Sequence, residues 1–246
     1  SMGASKAGFY KTYGDYQYPP EMLGEERWEP WNPTVDLPLR RIGNPVPMCA
    51  KRFPNSILPE ASIEEGGVGY DLLAGDWVEP HGKGTVSDMV FSLKRNYVNN
   101  RDFEIELRIT MPNPGDGFSP ISPEEILEGS ELPLPPTAHG EGYVSSLVLV
   151  KAYHPDREPR VDVDTIEPNA DFFFLRARTR LGPDGKAESA MYGKLVGPIE
   201  MGVHTVPTVR MMFTHYLNPD GTRNVEFDPK RNLLQGLDSS ESPRKP

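Results

Sequence analysis

Three arginines alternate with apolar residues in the segment FFFLRARTRL, and they are the clearest candidates for a binding site. In an extended strand Arg176, Arg178 and Arg180 project from one face, about 7 Å apart. Guanidinium groups bind carboxylates and sulfates through paired hydrogen bonds, so this ladder could bind an acidic glycan. The structural alternative is that the arginines pair across strands with carboxylates such as Glu104 and Glu106 on a solvated sheet face.

Aromatic side chains and one loop histidine are the other candidates for ligand binding. Trp28, Trp31 and Trp77 could stack on sugar rings, or they could hold a proline-rich segment against the rest of the protein. Trp28 and Trp31 lie three residues apart in WEPWNP, where proline stiffens the backbone. His81 lies in the loop VEPHGKG beside Lys83 and could approach an anion, although the loop lacks the pattern of a phosphate-binding loop.

A run of carboxylates in VDVDTIEPNAD is the candidate metal site. Asp162, Asp164 and Asp171, with Glu167 between them, supply the hard oxygen ligands that Ca²⁺ prefers. The segment lacks the ordered pattern of an EF-hand loop. We therefore predict either a weak Ca²⁺ site or a solvated acidic loop.

Signatures of catalysis are few. The five histidines form no HxH or HExxH spacing, and the sequence has no G-x-S-x-G motif. A glycosidase needs two carboxylates across a cleft, and the 36 acidic residues offer too many pairs to choose from. His215 and the single cysteine, Cys49, are expected in the core. The pattern favours a protein that is not an enzyme; the alternative is a polysaccharide hydrolase or lyase that uses carboxylates or His81 in a surface groove.

The elements that must position these residues are strands. The segments 85–98 and 101–110 alternate apolar and polar residues on either side of an Asn-Asn turn, which predicts a β-hairpin. Further strands are predicted in residues 143–154, 171–181, 187–197, 208–221 and the segment NVEFDPKRNLLQG. With about seven to nine strands and one helical turn in SPEEILEG, the sequence predicts an all-β fold, an antiparallel β-sandwich or jelly roll.

Proline content suggests how the chain is divided. The 27 prolines favour short elements joined by long, fixed loops. We predict an extended Pro- and aromatic-rich arm in residues 1–65 that packs on the body, one β-sandwich domain in residues 66–237, and a frayed polar tail in residues 238–246. The arm could instead pack on a second copy and form a homodimer.

Composition excludes some partners. The net charge of −10 disfavours nucleic acid and anionic membranes, and no run of about 18 apolar residues predicts a membrane span. One cysteine excludes an intrachain disulfide and a thiolate zinc site. The opening SMG resembles the remnant of a cleaved tag, so an export signal could have been removed upstream of it. We therefore predict a periplasmic or extracellular β-sandwich for binding or structure, with a glycan or another protein as its partner.

Overall fold

Strands dominate the fold. The computed structural model describes residues 2–15, 34–60, 66–99, 101–156, 160–203 and 209–246. Strand makes up 53% and helix 2% of the structure, which confirms the predicted all-β class. No helix in these ranges is long and apolar enough to cross a membrane.

The described ranges contain strands β1 (Met2–Ala4), β2 (Thr12–Gly14), β3 (Val46–Ile57), β4 (Val68–Asp71), β5 (Asp76–Trp77), β6 (Met89–Asn99), β7 (Asp102–Thr110), β8 (Gly117–Pro120), β9 (Ser146–His154), β10 (Val161–Glu167), β11 (Phe172–Leu181), β12 (Ala187–Val203), β13 (Val209–Asn218) and β14 (Phe227–Asn232). The predicted helical turn forms as a short 3-10 helix, Pro123–Glu125, whose Ser122 backbone N–H donates to the Glu125 carboxylate.

Two six-stranded sheets form the sandwich. The first sheet has the strand order β10-β9-β7-β6-β4-β5, and the second has the order β14-β3-β13-β12-β11-β8. Neighbouring strands are antiparallel except for β14, which runs parallel to β3 at the edge of the second sheet. Strands β1 and β2 pair with each other in a separate two-stranded sheet.

The sandwich interior takes the alternate side chains that face inward from each sheet. Phe91 and Leu107 of the first sheet and Phe173 and Leu175 of the second are fully buried in one continuous cluster. Burying a side chain of this size contributes about 1.5–3 kcal/mol. His215 and Cys49 are also buried, as the sequence predicts.

The predicted hairpin is confirmed, because β6 and β7 pair in antiparallel register. Glu104 and Arg108 are exposed on the outer face of the first sheet, and Glu106 lies 3.3 Å from Arg108 and 3.9 Å from Lys94. Arg176 belongs to the second sheet, so it is not the cross-strand partner that the sequence suggested for these carboxylates. The charged face is a solvated surface whose ion pairs form within its own sheet.

A second apolar cluster covers the outer face of the second sheet. Phe174 and Tyr216 project to this face and are packed under Ile121, Leu134 and other residues of the loops. The second sheet is therefore buried on both faces, which explains why the run FFFL has no alternation.

Both ends of the sandwich differ from the predicted boundaries. Strand β3 lies inside the second sheet, although the sequence analysis assigned it to the arm. The tail, predicted to be frayed, packs against β3: the Arg52 N–H donates to the Glu241 carbonyl at 2.7 Å, and Lys51 pairs with Glu241 at 3.2 Å. Pro243 is buried there. The tail thus forms part of the surface that covers the second sheet.

Candidate functional site

The predicted arginine ladder is interrupted by a β-bulge. Strand β11 pairs Ala177 with Met191 but Arg180 with Ser189, so one extra residue lies in β11 between these pairs. Arg178 has a φ of +53°, in the left-handed region that residues other than glycine rarely adopt. The bulge turns the Arg178 side chain away from its neighbours, so the three guanidinium groups do not form one row.

Arg178 instead joins the two sheets through a buried ion cluster. Its Nε and Nη2 donate to the two carboxylate oxygens of Asp88 at 2.9 and 3.0 Å, and Nη2 also donates to Asp71 at 2.8 Å. Asp116 accepts the backbone N–H groups of Arg178 and Thr179, which fixes the bulge. Hydrogen bonds of the Arg178 backbone N–H and of its side chain therefore hold the positive φ in place.

The two carboxylates of this cluster differ in their pKa. Burial raises the pKa of Asp88, and the contact with Arg178 offsets this only in part. Burial also acts to raise the pKa of Asp71, but backbone N–H donors, among them those of Ala74 and Thr85, together with the Arg178 charge outweigh it and lower the pKa. Asp71 and Asp88 both accept hydrogen bonds from backbone N–H groups and from the Arg178 guanidinium. The cluster is therefore a structural link between the sheets.

The other two arginines of the predicted ladder lie apart. The Arg176 guanidinium stacks over the Tyr143 ring at 4.4 Å from its centroid, and its Nε donates to the Gly115 carbonyl at 2.6 Å. Arg180 is exposed. The use of these residues in binding an acidic glycan stays a prediction, but Arg176 holds loops rather than an open face.

The aromatic candidates and His81 do not converge on one place. Trp77 packs edge-to-face against Tyr70 and Phe91, with centroid distances of 5.2 and 5.1 Å, so its ring belongs to the end of the interior cluster. His81 is exposed in the loop after β5. Trp28 and Trp31 lie outside the described residues.

The carboxylates of the predicted Ca²⁺ site lie along an edge strand instead of a loop. Asp162 and Asp164 are both exposed on β10, where Asp162 pairs with Arg160 at 3.2 Å and Asp164 with Lys151 at 2.7 Å. Asp171 is exposed beyond the end of that strand. Nowhere in the described ranges do three or more His, Cys, Asp or Glu side chains gather so that they could hold a metal ion.

A row of directly paired residues crosses the outer face of the second sheet and brings together groups that the sequence analysis did not single out. Phe174 of β11 pairs with Ser119 of β8 on one side and with Lys194 of β12 on the other, and Lys194 pairs with Tyr216 of β13. Directly paired residues project to the same face. Lys194 therefore lies at the centre of a face that loops and the tail cover.

A cavity of about 720 Å³ lies between this face and the C-terminal tail. Lys194, Thr214 and Tyr216 line it from the sheet, Pro133 and Leu134 from a loop, and residues 239–240 and 242–246 from the tail. This volume is in the range that holds a small organic ligand.

Lys194 is the unusual group in this cavity. Its side chain is almost fully buried, with 1% exposure, and its Nζ lies 4.9 Å from the centroid of the Tyr216 ring. Among the described residues no carboxylate forms an ion pair or a hydrogen bond with Nζ. Burial lowers the pKa of Lys194 to about 7, the attraction of Glu226 opposes this shift, and the charge of Arg40 adds to it. A buried amine that titrates near neutrality in a cavity is a common mark of a functional site.

Glu226, the carboxylate whose charge acts on Lys194, is already engaged in hydrogen bonds. Glu226 accepts hydrogen bonds from the Tyr10 hydroxyl at 2.8 Å and from the backbone N–H groups of Gly43 and Asn44. It therefore fastens the N-terminal arm to the loop before β14. It attracts Lys194 through space, but it makes no direct ion pair with the amine.

At the other end of the row, Ser119, His139 and Glu125 form a hydrogen-bonded chain. The Ser119 Oγ lies 2.8 Å from His139 Nδ1, and His139 Nε2 lies 2.8 Å from the Glu125 carboxylate. The order of groups is that of a serine hydrolase triad. However, the two ring nitrogens are exchanged relative to that triad, since Nδ1 faces the hydroxyl and Nε2 faces the carboxylate, and Ser119 does not line the cavity beside Lys194. The chain instead holds the loop that contains His139 against β8.

We expect His139→Gln to lower the free energy of unfolding by about 1–3 kcal/mol, because the change leaves polar groups of a partly buried network without matched partners. Urea unfolding measures this effect. His81→Gln is the matched control on an exposed loop and should change stability by less than about 0.5 kcal/mol. Equal effects of the two substitutions would show that the chain does not hold the loop.

No local motif marks Lys194 or Ser119 in the sequence, since neither belongs to a recognised spacing of catalytic or ligand-binding residues. Comparison with known proteins supplies no further assignment: no protein-family model, no curated protein and no solved structure matches this chain.

Proposed function

We propose that this protein is a β-sandwich binding protein that takes a small acidic ligand in the cavity between the second sheet and the C-terminal tail. The observation that supports this most directly is Lys194, a buried amine without an ion-pair partner among the described residues that lines this cavity. Burying an unpaired cation costs free energy, and an anionic ligand would supply the missing counter-charge.

The charge of the cavity lining supports an acidic ligand. Arg52, Lys194, Arg244 and Lys245 line the cavity, and no Asp or Glu side chain of the described residues does. This contrasts with the whole chain, in which 36 acidic residues outnumber 26 basic ones. A concave site with one sign of charge raises the local concentration of ligands of the opposite sign. Guanidinium groups also favour carboxylate and phosphate by paired hydrogen bonding.

Hydroxyl groups around the cavity suit the rest of a polar ligand. Thr214, Tyr216 and Ser239, Ser240 and Ser242 line it beside the four cations. A uronic acid or another small carboxylate or phosphate has this combination of an acidic group and neutral oxygen atoms. The proposed ligand therefore keeps the acidic group that the arginine ladder suggested. It binds in the cavity beside Lys194 instead of on the ladder, and it is a small molecule instead of a long glycan chain.

The test compares D-glucuronate and inorganic phosphate with D-glucose by isothermal titration calorimetry at pH 6 and pH 8.5. We expect the two anions to bind and glucose to bind at least tenfold more weakly, because glucose lacks the acidic group. Lys194 loses its charge as the pH rises through about 7. The affinity for glucuronate should therefore be lower at pH 8.5 than at pH 6, while the other basic side chains of the cavity retain part of the binding.

Lys194→Met should abolish most of the anion binding at pH 6, whereas Lys186→Met, a control at an exposed lysine whose side chain is 86% accessible, should leave it unchanged. Equal binding of glucose and glucuronate would contradict the proposal, as would unchanged binding by the Lys194 variant or no binding of either anion. Export and a protein partner stay predictions, since neither the fold nor the comparisons bear on them.

A further inference from the structure

The setting of Lys194 suits a nucleophile as well as a counter-charge. An ordinary lysine is protonated at neutral pH, and its nitrogen then has no free electron pair for attack on a carbonyl carbon. Enzymes and binding proteins that use lysine as a nucleophile bury the amine in a poorly solvated pocket or place another cation near it. Both conditions hold here, because Lys194 is buried and the positive charge of Arg40 disfavours protonation of its amine.

The positions of the neighbouring strands limit where the Lys194 amine can lie. Lys194 lies between Phe174 and Tyr216 on directly paired positions of three neighbouring strands. The Tyr216 ring is 4.9 Å from Nζ, and the Tyr216 hydroxyl is 3.4 Å from the carbonyl oxygen of Lys245 in the tail. The ring is thus held between the sheet and the tail, and the lysine side chain stays under the tail instead of reaching bulk solvent.

The cavity also offers a second anchor for a ligand that reacts with the amine. Arg52, Arg244 and Lys245 line it and are exposed, so the cavity has basic side chains besides Lys194. A ligand with an acidic group could be held by these cations while its other end reaches Lys194. The ligand class that fits both parts carries a carbonyl group and a carboxylate or phosphate.

We propose that Lys194 forms a reversible imine with the carbonyl carbon of a small aldehyde or ketone that also bears an acidic group. This proposal rests on the acidic-ligand function and specifies the class of its ligand. The neutral amine nitrogen attacks the carbonyl carbon and forms the C–N bond. The carbonyl oxygen then leaves as water together with the two hydrogens of the amine. No oxidant, reductant or metal is required, and water reverses the reaction.

The test uses pyruvate and glyoxylate as probes, with sodium cyanoborohydride to reduce any imine to a stable amine. Intact mass spectrometry counts the modified sites, and peptide mapping locates them. We expect one modification, at Lys194, that is absent in Lys194→Met and unchanged in Lys186→Met. Lactate, which has the carboxylate but no carbonyl, should slow the trapping of pyruvate by competing for the cavity.

The pH profile separates a specific site from general lysine reactivity. Trapping at Lys194 should rise about tenfold between pH 6 and pH 8 and then level off, since its amine deprotonates near pH 7. Trapping at an exposed lysine should continue to rise about tenfold per pH unit up to pH 10.

The outcomes distinguish the two proposals. If pyruvate and lactate bind equally and no residue is trapped, the imine is excluded and the acidic-ligand site stands. Modification spread over exposed lysines, or modification that persists in Lys194→Met, also excludes the imine. If neither pyruvate nor lactate binds, and glucuronate and phosphate do not bind either, both proposals fail.

Discussion

Lys194→Met is expected to make the protein more stable at neutral pH, by about 2–4 kcal/mol. The folded state holds this amine with a pKa of about 7 instead of 10.5. At about 1.36 kcal/mol per pH unit, that difference corresponds to a cost of about 5 kcal/mol for the protonated side chain. Methionine has a similar shape and no charge, and replacing a buried charge by an apolar group of similar volume often gains about 1–4 kcal/mol.

The stability gained from Lys194→Met should depend on pH. Below pH 7 Lys194 is protonated in both the folded and the unfolded chain, so the cost is complete. Between pH 7 and pH 10.5 the unfolded chain binds the proton and the folded chain largely does not, so the stability of the unchanged protein rises with pH. The advantage of the methionine variant should therefore be largest at pH 7 and below, and it should vanish near pH 10.5.

Guanidinium chloride unfolding at pH 6, 8 and 10 measures this advantage, and Lys186→Met is the control because its amine is exposed. A chain of this length should show about 2–4 °C in Tm for each kcal/mol. A variant less stable than the unchanged protein at pH 6 would mean that Lys194 has a counter-charge in the folded state. A stabilising variant that loses ligand binding would show that the charge is kept for function at the expense of stability.

The hairpin of β6 and β7 could be predicted because its pattern is local. Phe103, Ile105 and Leu107 alternate with polar residues and all face one partner layer, so a period of two is visible in the sequence. Strand β3 could not be predicted in this way, since Pro47 and Pro54 interrupt it. The structure accommodates Pro54 beside a register shift, where a proline costs no ladder hydrogen bond.

The candidate site could not be predicted because its properties arise from distant segments. Lys194 shares its face of β12 with Tyr192 and Val196. The sequence offers no sign that this outer face is covered, and outer faces are usually solvated. The amine is buried only because a loop and the tail, about 50 residues further along the chain, cover that face. The prediction that the three arginines form one row was wrong for a local reason. One extra residue at a bulge changes the direction of the Arg178 side chain.

Arg178→Met is expected to destabilise the protein by about 3–5 kcal/mol, the usual cost of removing one partner from a buried ion pair. The side chains of Asp88 and Asp71 are only 1% and 5% exposed, so the variant would leave two carboxylates in the interior without their cation. Because Arg178 belongs to the second sheet and both carboxylates belong to the chain around β4 and β6, the loss would fall on the contact between the sheets.

Urea unfolding at pH 7 measures the loss, and Arg180→Met is the matched control on the same strand, expected to change stability by less than about 0.5 kcal/mol because Arg180 is exposed. Adding Asp88→Asn to Arg178→Met should recover stability, since it removes one of the uncompensated charges. The loss should also shrink as the pH falls, because the carboxylates of the variant take up protons more readily than those of the unchanged protein, in which Arg178 helps to hold the pKa of Asp71 down. A loss that is equal at pH 3 and pH 7 would indicate that the arginine acts by filling space at the bulge and not by its charge.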